Sequence, residues 1–401
     1  MKILMVILDG AGDTGEKTPY ETARKPAMDS LARTGTCGLL DVGYKSEVES
    51  DIGDLNLLGF FSKETYPGRG YLEALAIGMR DIDKGDICIR GNLATTGRNG
   101  NIAERRAGRE EAGLEELAEG IDGLEIDGVQ FIVRKSSGHR IVVIMRPMNE
   151  KIKLSENVET NDPKKEGVPV PQIRPKTADA KFTASVLNKF VFRTSKMLAA
   201  NPVNKKRKFP VNILLLRGFG HKKNMPEPFR KKYGVNACVI GGIPIIKGVA
   251  SFLGMDIINV AGATGYPDTN LRGKFDMAAE SLSKYEFVVL HVNGTDILSH
   301  DAKRPEKTKF IEKIDENLGT LLKKIDLKKT VVIIASDHRT SSDPAYKQYR
   351  HTTDPVPVLV SGGGISVAIS RKFDERGCAR GFLLKGNDLL PYVFRLMEQA
   401  K

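Results

Sequence analysis

Acidic and imidazole side chains stand in this sequence where apolar, strand-like runs end. Residues 331–335 form a short, mostly β-branched apolar run, and Asp337, His338 and a polar, turn-prone segment follow it. Carboxylates and imidazoles are common ligands of divalent transition metals. Because neighbouring side chains on a strand point to opposite faces, both groups can reach one ion only where the strand breaks into a loop. The sequence therefore predicts a pair of metal ligands at this strand end.

Four further carboxylate or imidazole residues in other parts of the chain are candidate metal ligands. Asp9 follows the apolar run 3–8, and His351 precedes the last apolar run. Asp296 and His300 are four residues apart, so one helical turn puts both on the same face. In open α/β sheets, ligands gather at the carboxyl ends of the strands, so we expect these groups to meet at one edge. The mixture of carboxylate and imidazole fits Mn, Zn, Co or Fe, with Mg less natural.

Ser50 lies among acidic residues just before an apolar stretch. A serine in such a place is commonly a helix N-cap, and that interpretation stays open. A serine nucleophile at a helix N-terminus would also face an incoming phosphate with amide donors and a positive dipole end. With Ser50 the chain has seven donors, enough for two ions, and a two-metal site is the standard device for in-line displacement at phosphorus. The sequence thus predicts phosphoryl transfer to a metal-activated serine.

Composition narrows the class of protein. The 401 residues carry a formal net charge of +12, and 40% are hydrophobic. No apolar run approaches the roughly 18 residues that a membrane span needs, and the basic runs 205–208 and 230–232 lack the interleaved aromatics of a nucleic-acid site. We expect no membrane and no nucleic-acid partner, but a small phosphorylated substrate, which positive charge attracts. The four cysteines have no paired spacing, which predicts reduced thiols in a cytoplasmic protein.

Alternation of strand-like and helix-like segments predicts an α/β fold, a mostly parallel sheet with helices on both faces. The predicted strands are 3–8, 211–216, 237–240, 256–260, 287–292, 330–335 and 356–360, and the predicted helices are 18–34, 243–253, 270–283 and 307–324. Between about 66 and 175, short strands alternate with charged turns, which indicates an inserted α+β domain. We therefore assign 1–62 and 205–401 to a discontinuous metal-binding domain and 63–204 to the insertion with its linkers.

The predicted insertion is rich in arginine, the residue suited to a bidentate grip on carboxylate or phosphate. Some of these charges are expected to be ordinary surface residues. The basic positions are Arg90, Arg105, Arg106, Arg109, His139 and Arg140.

Several local motifs together carry a resemblance to a known family. They are Ile7-Leu-Asp-Gly10, Gly68-Arg-Gly70, Arg90-Gly-Asn-Leu-Ala-Thr95, Glu104-Arg-Arg-Ala-Gly-Arg109, Gly138-His-Arg140, Asn161-Asp-Pro163, Leu216-Arg-Gly218, Gly262-Ala-Thr-Gly265 and His351-x-x-Asp-Pro-Val-Pro357. Over nearly its whole length the chain resembles the archaeal-type cofactor-independent (2,3-bisphosphoglycerate-independent) phosphoglycerate mutases. The order of its acidic, serine and histidine residues is similar to the ligand order of the alkaline phosphatase superfamily.

The resemblance implies an alkaline-phosphatase-like domain that holds two divalent ions (Mn, Co, Zn or Mg) and an insertion that covers the substrate. One ion would bind Asp296, His300 and His351, and the other would bind Asp9, Ser50, Asp337 and His338. Ser50 would take the phosphoryl group from 2- or 3-phosphoglycerate and return it to the other hydroxyl. The implied substrate-binding residues are Arg90, Arg106, Arg109, Arg140, Arg217 and Lys247.

Three departures from the family pattern lie close to this chemistry. The family's nucleophile loop reads Pro-Gly-Ser-Asp-x-Ala-His, but in this chain Glu49 replaces the glycine and Asp54 the histidine. Lys164 replaces the histidine of the family's Asp-Pro-His. Two added carboxylates should weaken the binding of an anionic substrate. Two alternatives to a mutase therefore stay open: a metal-dependent phosphatase or small-molecule phosphotransferase similar to proposed homoserine kinases, and a binding protein without turnover.

Overall fold

The computed structural model describes residues 1–42, 49–346, 351–366 and 370–400. The chain forms two compact units, of which the first comprises Met1–Glu64 with Pro226–Lys401 and the second comprises Thr65–Met225. Within the described ranges, no helix is both long enough and apolar enough to cross a bilayer.

The chain starts in the first unit, passes through the second and returns to the first. The first unit begins with β1 (Lys2–Leu8), α1 (Pro19–Thr22), α2 (Pro26–Thr34), β2 (Thr36–Asp41) and α3 (Ser50–Leu57). The second unit contains α4 (Arg69–Ala76), β3 (Ile87–Thr96), β4 (Ile102–Glu104), α5 (Leu114–Glu119), β5 (Leu124–Ile126), β6 (Val129–Lys135), β7 (Arg140–Pro147), α6 (Lys181–Ala200) and β8 (Ile213–His221). The first unit resumes with α7 (Phe229–Tyr233), β9 (Ala237–Ile240), α8 (Pro244–Phe252), β10 (Asp256–Ile258), α9 (Leu271–Ser281), β11 (Phe287–Val292), α10 (Gly294–His300), α11 (Arg304–Leu322), β12 (Thr330–Ala335), β13 (Arg339–Thr340), β14 (His351–Thr352), β15 (Val356–Gly362), α12 (Glu375–Cys378), β16 (Phe382–Lys385) and α13 (Leu389–Gln399).

The first unit is built on an eight-stranded sheet in the order β10-β9-β11-β1-β12-β15-β2-β16. The five strands from β10 to β12 are parallel, and β15 runs antiparallel to both of its neighbours. The central strands are continuous apolar runs because both of their faces are covered. Along β1, Leu4 and Val6 pack into a core with α9 and α11, while Met5 on the opposite face is equally buried. The predicted α/β fold class is confirmed.

Strand order brings the predicted metal ligands to one edge of this sheet. β1 lies between β11 and β12, and Ile7 pairs with His291 on one side and with Ala335 on the other. The three strands therefore end at the same level. Asp9 follows β1, Asp337 follows β12, and α10 starts directly after β11.

Two predicted helices of this unit differ from the structure at a proline. The predicted helix 18–34 is divided into α1 and α2, because Pro26 lacks an amide hydrogen and disfavours helical geometry at Lys25. The predicted helix 307–324 instead begins at Arg304, with Pro305 in its first turn, where proline is favoured.

The second unit has its own antiparallel sheet, in the order β4-β3-β7-β6-β5, with β8 also paired to β3. Its core includes Phe131 of β6 stacked on Phe190 of α6, with ring centroids 3.9 Å apart. The predicted strand 211–216 corresponds to β8 and belongs to this sheet, not to the large one. Residues 205–225 thus fall in the second unit, whereas the boundary predicted from sequence lies after 204. An apolar run alone does not specify which sheet will accept it.

Candidate metal centre

Ser50 is the first residue of α3, and Glu49 occupies the N-cap position. The N-cap interpretation of Ser50 is therefore not supported. Helix α3 approaches the end of β12 closely because residue 53 is glycine: a Cβ there would lie 2.4 Å from the backbone oxygen of Asp337. This approach puts Ser50 Oγ 3.2 Å from His338 Nε2.

One group of donors forms around Asp296. Its Oδ1 lies 3.3 Å from His300 Nε2 and 3.4 Å from His351 Nε2. The two imidazole nitrogens are 3.0 Å apart. Asp296 and His300 come from one turn of α10, and His351 comes from β14, so predicted ligands from two separate segments meet at this point.

The second group forms around His338. Its Nε2 lies 3.2 Å from Asp337 Oδ2, 3.4 Å from Asp9 Oδ1 and 3.2 Å from Ser50 Oγ. Asp9, Asp337 and His338 are fully buried, and Ser50 is nearly so. All four predicted members of this group are thus brought together.

His338 also adjoins the first group. Its ring stacks on that of His351 with centroids 3.9 Å apart. Donor atoms of Asp296, His338 and His351 lie within 4.8 Å of one another, as do those of Asp9, Asp337 and His338. The two groups are therefore contiguous, whereas the resemblance assigns His338 to one ion alone.

The donors of both groups suit small divalent cations. Ligands bound at about 2.0–2.2 Å in a tetrahedral arrangement lie about 3.3–3.6 Å apart, close to the spacings in this centre. Asp9 Oδ1 and Asp337 Oδ2 are buried and accept no hydrogen bond within the described residues. Burial raises the pKa of Asp337 to about 7, and burial together with Asp337 raises the pKa of Asp9. A cation would remove this penalty on the charged carboxylates, so the residues fit the metals that the sequence predicts.

The structure adds polar residues that were not predicted from the sequence. Asn293 Nδ2 donates to Asp9 Oδ2 at 2.6 Å. Thr340 Oγ1 lies 2.9 Å from both Asp296 Oδ1 and His338 Nδ1. The signal for Asn293 was its place directly after a buried strand, the same signal that identified Asp9. Thr340 carried no such signal, since its segment has the composition of an ordinary turn.

Asp54, one of the departures from the family pattern, points toward the centre rather than to solvent. It is fully buried, and its Oδ1 lies 3.8 Å from His291 Nε2, which is itself 3.6 Å from Asp9 Oδ2. His291 was also missed, because its position inside an apolar strand made it look like a core residue. Glu49 is half-buried at the start of α3.

Four of the predicted substrate residues cluster in the second unit around His139. Burial, followed by Arg140, Arg90, Arg106 and Arg217, lowers the pKa of His139 to about 2. Arg90 is itself buried and forms an ion pair with Glu73 at 3.4 Å.

Two predicted substrate residues are placed differently. Arg109 is exposed, on a backbone with φ of +58°. Lys247 belongs to the first unit, where its Nζ donates to Asn259 Oδ1 at 2.7 Å, and within the described residues no hydrogen bond joins it to the two groups of ligands.

Lys164, the third departure from the family pattern, is exposed at the turn after Asp162.

Comparison with known proteins assigns this chain to a family. Residues 1–385 match the model of the Metalloenzyme superfamily. The chain is 38% identical to the 2,3-bisphosphoglycerate-independent phosphoglycerate mutase of Methanococcus aeolicus, over 100% of this chain and 99% of that protein. It is 31% identical to a Pyrococcus horikoshii protein of known structure (TM-score 0.81, covering 100% and 98%) and 30% identical to the cofactor-independent phosphoglycerate mutase of Thermoplasma acidophilum (TM-score 0.62, covering 99% and 100%). The chain therefore belongs to the Metalloenzyme superfamily and, within it, to the family of 2,3-bisphosphoglycerate-independent phosphoglycerate mutases.

Proposed function

We propose that this protein interconverts 2-phosphoglycerate and 3-phosphoglycerate through a phosphorylated Ser50. The observation that carries the proposal is the position of Ser50 Oγ, 3.2 Å from Nε2 of His338, the residue that adjoins both groups of carboxylate and imidazole donors. Family membership supports the same reaction.

In this proposal Asp296, His300 and His351 hold one divalent ion, and Asp9, Ser50, Asp337 and His338 hold the other. When bound, the ions supply positive charge that favours the deprotonated serine and balances the charge of the phosphoryl oxygens. The donor set, which is rich in histidine, favours Mn, Co or Zn over Mg.

Ser50 Oγ forms a bond to phosphorus as the phosphorus–oxygen bond to glycerate breaks. The proton that Ser50 gives up ends on the departing glycerate oxygen. The glycerate then reorients, and its other hydroxyl takes the phosphoryl group while its proton returns to Ser50 Oγ. The amide groups at the start of α3 supply donors for the phosphoryl oxygens during both transfers.

We further propose that arginines of the second unit bind the anionic groups of the substrate. Two observations support this role. Arg90 is buried, and its Nε donates no hydrogen bond within the described residues. The charges of Arg106, Arg140 and Arg217 act, together with that of Arg90, on the same residue, His139. Arginine is suited to bidentate contacts with carboxylate and phosphate. Arg109 and Lys247 complete the proposed set.

The proposed compartment is the cytoplasm. The cysteines at positions 37, 88, 238 and 378 are free thiols and buried, as is usual in a reducing environment.

A second candidate function follows from Asp54. A buried carboxylate this close to Asp9 opposes a highly anionic substrate, which favours a phosphotransferase or phosphatase with a less anionic acceptor. Such an enzyme would use the same serine and the same ions. It would release phosphate or transfer it without interconverting the phosphoglycerates.

A coupled assay separates these functions. The purified protein is incubated with 3-phosphoglycerate and enolase in Mn²⁺ or Co²⁺ buffer without bisphosphoglycerate, and phosphoenolpyruvate is measured beside free phosphate. A mutase produces phosphoenolpyruvate without phosphate, and Ser50→Ala abolishes this while the ions stay bound. Phosphate release alone, or full activity of Ser50→Ala, would overturn the proposal.

A further inference from the structure

Thr340 connects the two groups of ligands through a single hydroxyl. It is fully buried, and its Oγ1 lies 2.9 Å from Asp296 Oδ1 and 2.9 Å from His338 Nδ1. Asp296 belongs to the first group only, whereas His338 is the central residue of the second. No other described side chain outside the ligand set hydrogen-bonds to a member of each group in this way.

The hydrogen bonds determine which nitrogen of His338 carries a hydrogen. A hydroxyl has one hydrogen to donate, and an ionised carboxylate can only accept, so Thr340 donates to Asp296. The Thr340 oxygen must then accept from His338, which requires a hydrogen on Nδ1. Nε2 is left with its lone pair directed at Ser50, Asp9 and Asp337, as metal binding requires.

Thr340 is held in place from several directions. Its backbone nitrogen donates to Gly12 O at 3.0 Å, and its backbone oxygen accepts from the buried Lys307 Nζ at 3.0 Å. In the β13–β14 pair it lies opposite His351. On its other side Gly10 leaves just enough room, since a Cβ there would lie 2.4 Å from Thr340 Oγ1. The hydroxyl is therefore preorganised rather than free to rotate toward other partners.

We propose that Thr340 is a positioning residue for both ions, orienting Asp296 for one and fixing the tautomer of His338 for the other. The inference rests on the proposed function only in that the two groups hold ions. Groups that orient metal ligands from behind typically contribute 10–100-fold to metal affinity. Loss of one hydroxyl should therefore weaken both sites rather than one.

Metal titration of the full chain tests this inference. The protein is freed of metal with a chelator. It is then titrated by calorimetry without substrate, with Mn²⁺ in one experiment and with Zn²⁺ in another. The main variant, Thr340→Val, keeps the shape of the side chain and lacks the hydroxyl, and Thr340→Ser restores the hydroxyl. The matched control is Thr194→Val in α6, where a buried threonine hydroxyl donates only to carbonyl groups of its own helix.

We expect Thr340→Val to bind both ions about 10–100-fold more weakly, and the serine variant and the control to match the wild type. The Mn²⁺ concentration for half-maximal activity should rise by the same factor, while kcat at saturating Mn²⁺ changes little. Thermal unfolding of the metal-free proteins shows that Thr340→Val is folded. If the valine does not fit, Thr340→Ala removes the same hydroxyl without added bulk.

Unchanged affinity of the folded valine or alanine variant for either ion overturns the inference. This failure is distinct from failure of the proposed function. Metal titration involves no phosphoglycerate, so a protein whose ion affinities depend on Thr340 but which lacks mutase activity would refute the function alone.

Discussion

The ion pair between Lys307 and Asp13 supports the loop that carries Thr340, and its removal should be costly. Lys307 Nζ lies 3.0 Å from Asp13 Oδ2, and both side chains are fully buried. A second pair at the same helix provides a control. Lys324, just past the end of α11, lies 2.7 Å from Asp276, but its side chain is 48% exposed. We compare Lys307→Met with Lys324→Met.

Lys307→Met should lower the free energy of unfolding more than Lys324→Met does, although the exposed contact is the shorter one. Removing one partner of a buried pair leaves an uncompensated charge and typically costs about 3–5 kcal/mol. Asp13 would keep its hydrogen bonds from the amide and the hydroxyl of Ser342, so we expect a value near the lower end, about 3 kcal/mol. An exposed pair contributes about 0–1 kcal/mol. In a domain of this size a loss of about 3 kcal/mol lowers the Tm of Lys307→Met by roughly 6–12 °C.

Urea unfolding of the metal-free proteins, followed by circular dichroism, measures both variants. The double variant Lys307→Met with Asp13→Asn should cost clearly less than the sum of the single substitutions, because it leaves no unpaired charge. Equal free energies of unfolding for Lys307→Met and Lys324→Met, within about 0.5 kcal/mol, would refute the reasoning, since that is the usual limit of a surface effect.

Three further predictions concern backbone packing, metal removal and the departure at Asp54. Gly70→Ala in α4 should destabilise by about 1–3 kcal/mol, because its Cβ would lie 2.4 Å from the backbone oxygen of Cys88. Gly319→Ala in α11, whose Cβ would meet Ala27 at an ordinary 3.6 Å, should stabilise by about 0.5–1 kcal/mol, as urea unfolding can verify. Chelation should abolish activity and lower the Tm, and the free energy of unfolding of the metal-free protein, relative to that of metal-free Asp337→Asn, should fall as pH rises from about 4 to 7. The sign follows from Asp337, whose raised pKa of about 7 makes this carboxyl bind more protons in the folded state than in the unfolded state in that window, whereas the buried histidines titrate in both proteins; a difference that stays constant across the window would contradict this. Asp54→Asn, assayed at saturating metal, should lower KM for phosphoglycerate about three- to tenfold by removing a repulsive charge, and an unchanged or higher KM would count against it.

The part of the centre that could be predicted from sequence is the part carried by strand ends. β9, β11 and β12 appear at their predicted bounds, because a strand buried on both faces is a continuous apolar run that stops where the chain leaves the core. Asp9 follows such a run directly and Asp337 follows one after a single serine, and parallel strands bring their carboxyl ends to one edge. Asp296 and His300 could be predicted from their spacing of four residues, which puts both on one face of a helix.

The part that could not be predicted depends on contacts between segments distant in sequence. The strand at 211–216 could be predicted, but nothing in its composition indicates whether it joins the large sheet or pairs with β3 in the second unit. Thr340 acquires its role only because Gly10 and Gly12, in the turn after β1, and Lys307, in α11, hold it from two other segments. His291 has the burial expected of its strand, and only the structure shows that its imidazole lies between two carboxylates.

The position of Asp54 changes the meaning of the departure from the family pattern. Burial and the neighbouring Lys274 lower the pKa of His291 to about 3, so this ring is neutral and does not cancel the charge of Asp54. The charge of Asp54 acts on the Asp9 side of the centre, where it contributes to the raised pKa of Asp9, in a buried environment where charges interact strongly. A negative charge there attracts a cation as well as repelling an anionic substrate. Asp54→Asn should consequently weaken Mn²⁺ binding at the Asp9 group while it improves phosphoglycerate binding, and a variant that improved both would show that Asp54 does not act through its charge.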